Sequence, residues 1–254
     1  MKPNFTDNAR AYLDRMNAGA RPPHKQTDPE LVERFANFAF DEVINDPHAR
    51  LEERPRLLSQ LAVLIGCQGL EEFQVMLPAA LRLGLDPIAA REVVYQAVDY
   101  LGMGRVFPFI GAMNEAFRQA SIQLPLPDQA TTTLETRLEK GAEAQTAIFG
   151  ERMIGFAESG PEESRHINRW LVDNCFGDYY TRTGLTLAER EMITFCYLYA
   201  QGGCEPQLKA HIGGNFRLGN DKEFLIRVVS CNVPFIGYPR TLNALRCINE
   251  VSEG

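Results

Sequence analysis

The residues best equipped for chemistry lie close together in the last third of the chain. His211 sits in the stretch Gln207-Leu208-Lys209-Ala210-His211-Ile212-Gly213-Gly214-Asn215. On a helix, Gln207 falls one turn before it and Asn215 one turn after, so the three share a face. That face surrounds one imidazole with a donor and acceptors, the equipment for moving a proton near neutral pH. A core histidine held by a neighbouring side chain is the plainer reading. Cys204 falls at the start of the same helix, where a thiol is expected to have a lowered pKa and redox reactivity. A structural or ligand-lining thiol competes with that. Arg182, in the turn Tyr180-Thr181-Arg182-Thr183-Gly184-Leu185, and Arg240, after Gly237-Tyr238-Pro239, are suited to clamp carboxylates through paired hydrogen bonds. Their plainer roles are a surface arginine capping a helix and an ion pair or interface contact. Trp170, Tyr179 and Tyr180 are candidates for an aromatic pocket wall, or for core and interface packing.

Composition limits what such a site can serve. The chain has 254 residues, 26 Lys and Arg against 33 Asp and Glu, and a net charge of −7. An acidic chain without a basic cluster excludes nucleic acid and anionic membrane as expected partners, because phosphate contacts need local cations. A small anionic substrate needs only one or two placed arginines. The N-terminal stretch MKPNFTDNARAYLD is polar, and the longest apolar run, Leu61 to Cys67, is far short of the ~20 residues that span a bilayer. A cytoplasmic location is expected. None of the six cysteines lies in a Cys-x-x-Cys pair and the four histidines are widely spread, so neither a disulfide framework nor a metal site is expected.

The elements that must position these residues come from a duplication. Shifted by 135, residues 66–115 align with 201–250 without a gap, and 11 of the 50 positions are identical, from Arg82/Arg217, Leu83/Leu218 and Gly84/Gly219 to Asn114/Asn249 and Glu115/Glu250. Chance at average residue usage gives roughly three. Pro125-Leu126-Pro127-Asp128 reads as a linker between two copies, placing domains at 1–124 and 131–254. Apolar spacing of three to four predicts helices over 187–200, 206–218, 222–233 and 239–250, and over 52–65, 70–83, 87–100 and 105–118 in the first copy. Further amphipathic stretches lie at 30–45, 133–149 and 162–175. Sustained strand-like alternation is missing, so the fold class is all-α.

The stretches Phe176–Glu191, Gly202–Gly214 and Phe235–Leu245, with Glu139–Gly150 ahead of them, resemble the carboxymuconolactone decarboxylase family, which includes the alkylhydroperoxidase-D-type proteins. The first copy resembles a diverged member through Leu81–Pro87 and Tyr100–Arg105. The resemblance implies two tandem alkylhydroperoxidase-D-like helical domains, assembled as a trimer of two-domain chains or as a hexamer. The alkylhydroperoxidase branch needs Cys-x-x-Cys-x-x-x-His and a relay glutamate. Here Cys204 matches, Gln207 replaces the second cysteine, and Glu191 stands one residue further from Cys204 than that pattern has it. The decarboxylase branch, to which the match is closer, carries a histidine at the His211 position, tends to show an arginine at the Arg182 position, and uses no cofactor. It implies a lyase or isomerase acting on a small carboxylated or lactone substrate, with His211 as acid and base. Arg182, Gln207, Asn215 and Arg240 would bind substrate. A thiol-dependent peroxidase or reductase using Cys204 (peroxiredoxin activity), and a non-catalytic binding or assembly protein, are the alternatives. Met76 stands where the second copy has His211, and Gly69 where it has Cys204, so the first copy is expected to be a scaffold.

Overall fold

The computed structural model describes residues 4–17 and 24–253; Met1–Pro3 of the polar N-terminal stretch and the last residue of the second expected domain lie outside the described residues. The described chain is helical and contains no strand. The helices are α1 (Asp7–Asn17), α2 (Pro29–Asn37), α3 (Val43–Asn45), α4 (Glu53–Gly66), α5 (Leu70–Arg82), α6 (Pro87–Leu101), α7 (Met103–Gln119), α8 (Arg137–Phe149), α9 (Arg165–Trp170), α10 (Leu187–Gln201), α11 (Glu205–Arg217), α12 (Lys222–Cys231), α13 (Val233–Ile236) and α14 (Tyr238–Ser252). Wide π-helical turns occupy Phe38–Glu42 and Leu171–Tyr180. At a shift of 135 residues, α4, α5, α6 and α7 fall onto α10, α11, α12 and α14.

Local signals set the boundaries. Thr186 and Glu189 form a reciprocal capping box at the start of α10. The Asp86 and Asp221 side chains accept from the Ile88 and Phe224 amides and open α6 and α12 at equivalent places. Two stretches depart from simple periodicity. The segments 30–45 and 162–175, each expected as one amphipathic helix, continue into π-helical turns. In the second, the wide turns put Cys175, Phe176 and Tyr180 all inside. There Gly141 and Gly177 let α8 press backbone to backbone: a Cβ on Gly141 would lie 2.0 Å from the Val172 carbonyl oxygen. Spacing of apolar residues carries no signal for that contact.

α4 and α10 are the centre of the molecule. Every residue of Arg56–Gly66 and of Arg190–Ala200 is buried. A helix covered on all sides must be enclosed by others, which here come from both series. The two cross closely at Gly66, where a Cβ would meet the Ala200 Cβ at 2.8 Å. One apolar cluster runs from Phe5 through α4–α7 to Cys247 and Ile248. The stretch between Gln119 and Arg137 carries no helix, and Arg91 of α6 donates to its Leu126 and Pro127 carbonyls at 3.2 and 2.8 Å. Among the described residues, no helix is long and apolar enough to cross a membrane.

Candidate functional site

His211 lies midway along α11 and is nearly buried, at 8% exposure. Its Nδ1 meets both carboxylate oxygens of Glu191, at 2.9 and 3.1 Å. An ionised carboxylate only accepts, so Nδ1 carries the hydrogen and Nε2 remains as the ring nitrogen free to exchange a proton. Glu191 is fully buried on α10. Its Oε1 also accepts from the Tyr180 hydroxyl at 2.8 Å. Tyr180 stands 2.7 Å from the Tyr100 hydroxyl and 2.7 Å from Thr194 Oγ1. Burial holds both tyrosines well above their ordinary pKa, so they stay protonated, with Tyr100 able to donate to Tyr180 and Tyr180 to Glu191. Gly214 leaves the room this needs: a Cβ there would lie 2.6 Å from Glu191 Oε2. Edge-on contacts from Tyr100 and Phe149, with ring centroids 5.4 and 5.3 Å away, fix the imidazole plane.

His211 lines a cavity of about 460 Å³, together with Cys204, Gln207, Tyr100, Asp99, Phe149 and Arg152. Its wall is mostly apolar with a few polar groups, the usual make-up of a small-molecule site. The site is shared between the two series of helices, since Asp99 and Tyr100 come from α6. Asp99 Oδ2 is buried without a hydrogen-bond partner among the described residues. Burial pushes the Asp99 carboxyl up to about 8, with Asp178 adding to the rise and a hydrogen bond from Cys175 opposing it. At neutral pH it is a protonated acid with a donor to offer.

That pKa has a consequence for stability. The native state holds the Asp99 proton between the ordinary aspartate value of 3.8 and about 8, where the unfolded chain has released it. Stability therefore falls as pH rises across that window, by at most ~1.4 kcal/mol per pH unit for one proton, and is flat above it. Asp99→Asn removes this contribution. The unfolding free energy of wild type minus that of Asp99→Asn is expected to decline from pH 5 to pH 8 in urea titrations. A constant difference would show an ordinary carboxylate.

The structure brings together four of the seven residues marked in the sequence as catalytic or substrate-binding candidates: His211 and Glu191 as a hydrogen-bonded pair, Cys204 and Gln207 on the same cavity wall. The other three lie elsewhere. Asn215 is fully buried beneath the pair and donates to the main-chain carbonyls of Glu191 at 3.0 Å and His211 at 2.8 Å, bracing α11 against α10. Arg182 clasps Glu92 of α6 at 2.9 and 3.0 Å. Arg240 lies over Gly202, where a Cβ would meet its guanidinium at 1.9 Å, a fit that glycine with φ of +68° permits. Lys209 pairs with Glu250.

The lowered thiol pKa expected for Cys204 is corrected. Cys204 caps α11, but burial raises its pKa, Glu205 raises it further, and its Sγ donates to the Leu198 carbonyl at 3.3 Å. The aromatic wall also differs from expectation. Trp170 is 58% exposed and meets His166 edge-on, and Tyr180 is buried behind Glu191, while Tyr100, Phe149 and Phe176 face the cavity. The cation lining the cavity is Arg152, on the turn after α8, which makes no ion pair among the described residues. Its only sequence signal is an isolated arginine beyond Gly150.

Among the described residues no group of three or more His, Cys, Asp or Glu side chains is arranged to hold a metal ion. The model of the carboxymuconolactone decarboxylase family matches residues 166–250, a stretch that contains all seven candidate residues. No curated protein matches the chain.

Proposed function

We propose that the chain is a cofactor-free lyase or isomerase acting on a small carboxylated or lactone substrate, a reading supported by the match of the carboxymuconolactone decarboxylase family model to residues 166–250. The observation that carries this reading is the Glu191–His211 pair at the wall of a mostly apolar cavity. Glu191 sets the imidazole tautomer and stabilises the imidazolium, leaving Nε2 to take and return a proton. Arg152 anchors one carboxylate of the substrate. The departing carboxylate needs no cation, because its charge leaves it as CO2 forms.

In the lyase form of this reaction the bond between ring carbon and departing carboxylate breaks. Its electron pair delocalises through the ring onto the lactone carbonyl oxygen. Asp99, held protonated, donates a hydrogen bond to that oxygen. The His211 imidazolium then delivers a proton to carbon and regains one from solvent. The balance is one carboxylate and one proton in, one C–H bond and one CO2 out. Loss of the Arg152 guanidinium is expected to act on substrate binding: Arg152→Ala raises KM by tenfold or more and leaves kcat within about threefold in initial-rate assays. A large fall in kcat at unchanged KM would place the anchor elsewhere.

The tandem arrangement, with domains at 1–124 and 131–254, is part of the same proposal, as is assembly into a trimer of two-domain chains or a hexamer. Six equivalent helical units per trimer would follow from two in each chain. The second reading, a thiol-dependent peroxidase, is favoured by one observation: Cys204 shares the cavity with His211. It lacks the resolving sulfur, since Gln207 stands at that position, and its thiol is raised rather than lowered. One wild-type preparation tests both readings. Loss of γ-carboxymuconolactone in one cuvette supports the lyase. Loss of a hydroperoxide with a thiol reductant in the other, abolished in Cys204→Ser, supports the peroxidase and overturns the first reading.

A further inference from the structure

A second cavity, of about 360 Å³, lies in the first half of the chain. Within the aligned stretches 66–115 and 201–250, six of its lining residues are the counterparts of six that line the His211 cavity. Gly69, Glu72, Val75, Met76, Pro234 and Phe235 correspond to Cys204, Gln207, Ala210, His211, Asp99 and Tyr100. The relation is reciprocal. α6 supplies Asp99 and Tyr100 to the second-half cavity, and α13 supplies Pro234 and Phe235 to the first-half one. The two cavities are copies, and the duplication has kept the space while changing the chemistry.

Four of the six changes are from polar to apolar, while Glu72 replaces Gln207 and Val75 replaces Ala210. The thiol becomes a hydrogen, the imidazole a thioether, the carboxylic acid a proline and the phenol a phenyl ring. Arg56 stands at the Glu191 position, but it pairs with Glu53 at 3.1 Å and lies over the Tyr12 ring at 5.0 Å, away from any role like that of Glu191. Phe35 stacks edge-on against both Phe40 and Phe235, with centroids 5.9 and 5.8 Å apart, and forms an aromatic wall with them. Met16 and Met76 complete the lining with adaptable thioethers, which make favourable contacts with ring edges. Among the described residues, the ionisable side chains lining the space are Glu72, His24 and Cys67. Burial raises the Glu72 pKa, with His24 opposing the rise. Leu31, which also lines the cavity, is 67% exposed.

We propose that this first-half cavity is a non-catalytic binding site for a small, uncharged, apolar ring compound. It does not depend on the reaction assigned to the His211 cavity. Space alone is ample, since apolar protein cavities of about 150 Å³ take up benzene. Among the described residues the lining holds a carboxyl group, that of Glu72, and no arginine or lysine, whereas the His211 cavity holds Arg152, so an uncharged ligand suits it better than an anion. A ring fills the space between the phenyl edges and the methionine sulfurs, and the positions equivalent to the Glu191–His211 pair hold Arg56 and Met76, which carry out no such proton transfer.

The test uses the full chain and N-phenyl-1-naphthylamine, a neutral fluorescent ring probe. Saturable binding of one equivalent is expected. Val75→Trp, which fills the first-half cavity, should abolish it, and Ala210→Trp, the equivalent change in the other cavity, should leave it within twofold. 1-Naphthoate, a similar ring with a carboxylate, should compete at least tenfold more weakly than naphthalene. Methionine-methyl NMR of the wild type gives an answer that needs no variant to fold. Probe binding should shift the Met16 and Met76 methyls, which line this cavity, and leave Met153, which lines the other. Absence of saturable binding, shifts at Met153 alone, or loss of binding in Ala210→Trp alone would overturn the site. Equal competition by naphthoate and naphthalene would overturn its selectivity for uncharged ligands.

Discussion

His211→Ala is expected to lower kcat for lactone turnover by roughly 10²- to 10⁴-fold, the usual contribution of a placed acid–base group. The geometry sets this expectation. Nδ1 is committed to Glu191 at 2.9 Å, and the ring is held between Tyr100 and Phe149, so no other lining group occupies the position of Nε2. Glu191→Gln gives the companion measurement. The amide keeps the shape and the contact with Tyr180, but it removes the charge that stabilises an imidazolium. It should lower kcat by less than His211→Ala in initial-rate assays, because the imidazole keeps its place but loses the counter-charge. Gly214→Ala reaches the same pair from behind, by displacing the Glu191 carboxylate, and should reproduce the direction of the Glu191→Gln effect. Unchanged rates in His211→Ala, measured on folded protein, would remove the proton-transfer role altogether.

Glu92→Gln is expected to cost about 3–5 kcal/mol of stability, the range for removing one partner of a buried ion pair. Glu92 is fully buried and is the shared acceptor of an arginine cluster. Arg182 binds it through two bonds at 2.9 and 3.0 Å, Arg190 through one at 3.1 Å, and Arg91 stands 3.6 Å away. Arg190 is itself fully buried, and it also donates to Gln96 Oε1 at 2.8 Å and to the carbonyls of Arg182 and Thr183. The cluster joins α6 to α10 and to the turn before it. Glutamine leaves buried guanidinium charge without a counter-charge, and that, rather than lost attraction, is what unfolds the protein. Urea titration of the single variant measures the loss. Adding Arg190→Met should recover part of it, since the double variant has one fewer unpaired charge. A loss under 1 kcal/mol would mean that water reaches the cluster.

These two results separate two jobs that look alike in the sequence. Arg182 and His211 are both polar residues beside the same candidate site, and both belong to the stretch matched by the family. Only packing assigns one to the cavity and the other to an ion cluster between the two series of helices. Arg152 shows the converse: an exposed arginine in a short turn, with nothing local to mark it, lines the cavity.

What the sequence determined by itself is local or repeated. Helical periodicity places α4–α7, α10–α12 and α14 within about two residues of their observed ends, because apolar spacing, capping side chains and glycine stops act over a few residues. The 135-residue repeat pairs the two series of helices without any knowledge of their packing. It also marks Met76 as the place where the first half lacks an imidazole. The shared face of Gln207, His211 and Asn215 was legible, but the side on which each would act was not: Gln207 turns to the cavity and Asn215 to the α10 backbone.

What only the tertiary structure decided depends on contacts between distant segments. Glu191 reaches His211 because α10 and α11 cross with Gly214 at the contact. Asp99 and Tyr100 reach the same cavity because α6 of the first series packs against the second. The raised pKa of Asp99 and of Cys204 is a property of the low-polarity surroundings that this packing creates. Apolar spacing along the chain does not encode it, because the free energy of a charge is set by the atoms around it in space, and for Asp99 these include Cys175 and Asp178 from the other half of the chain.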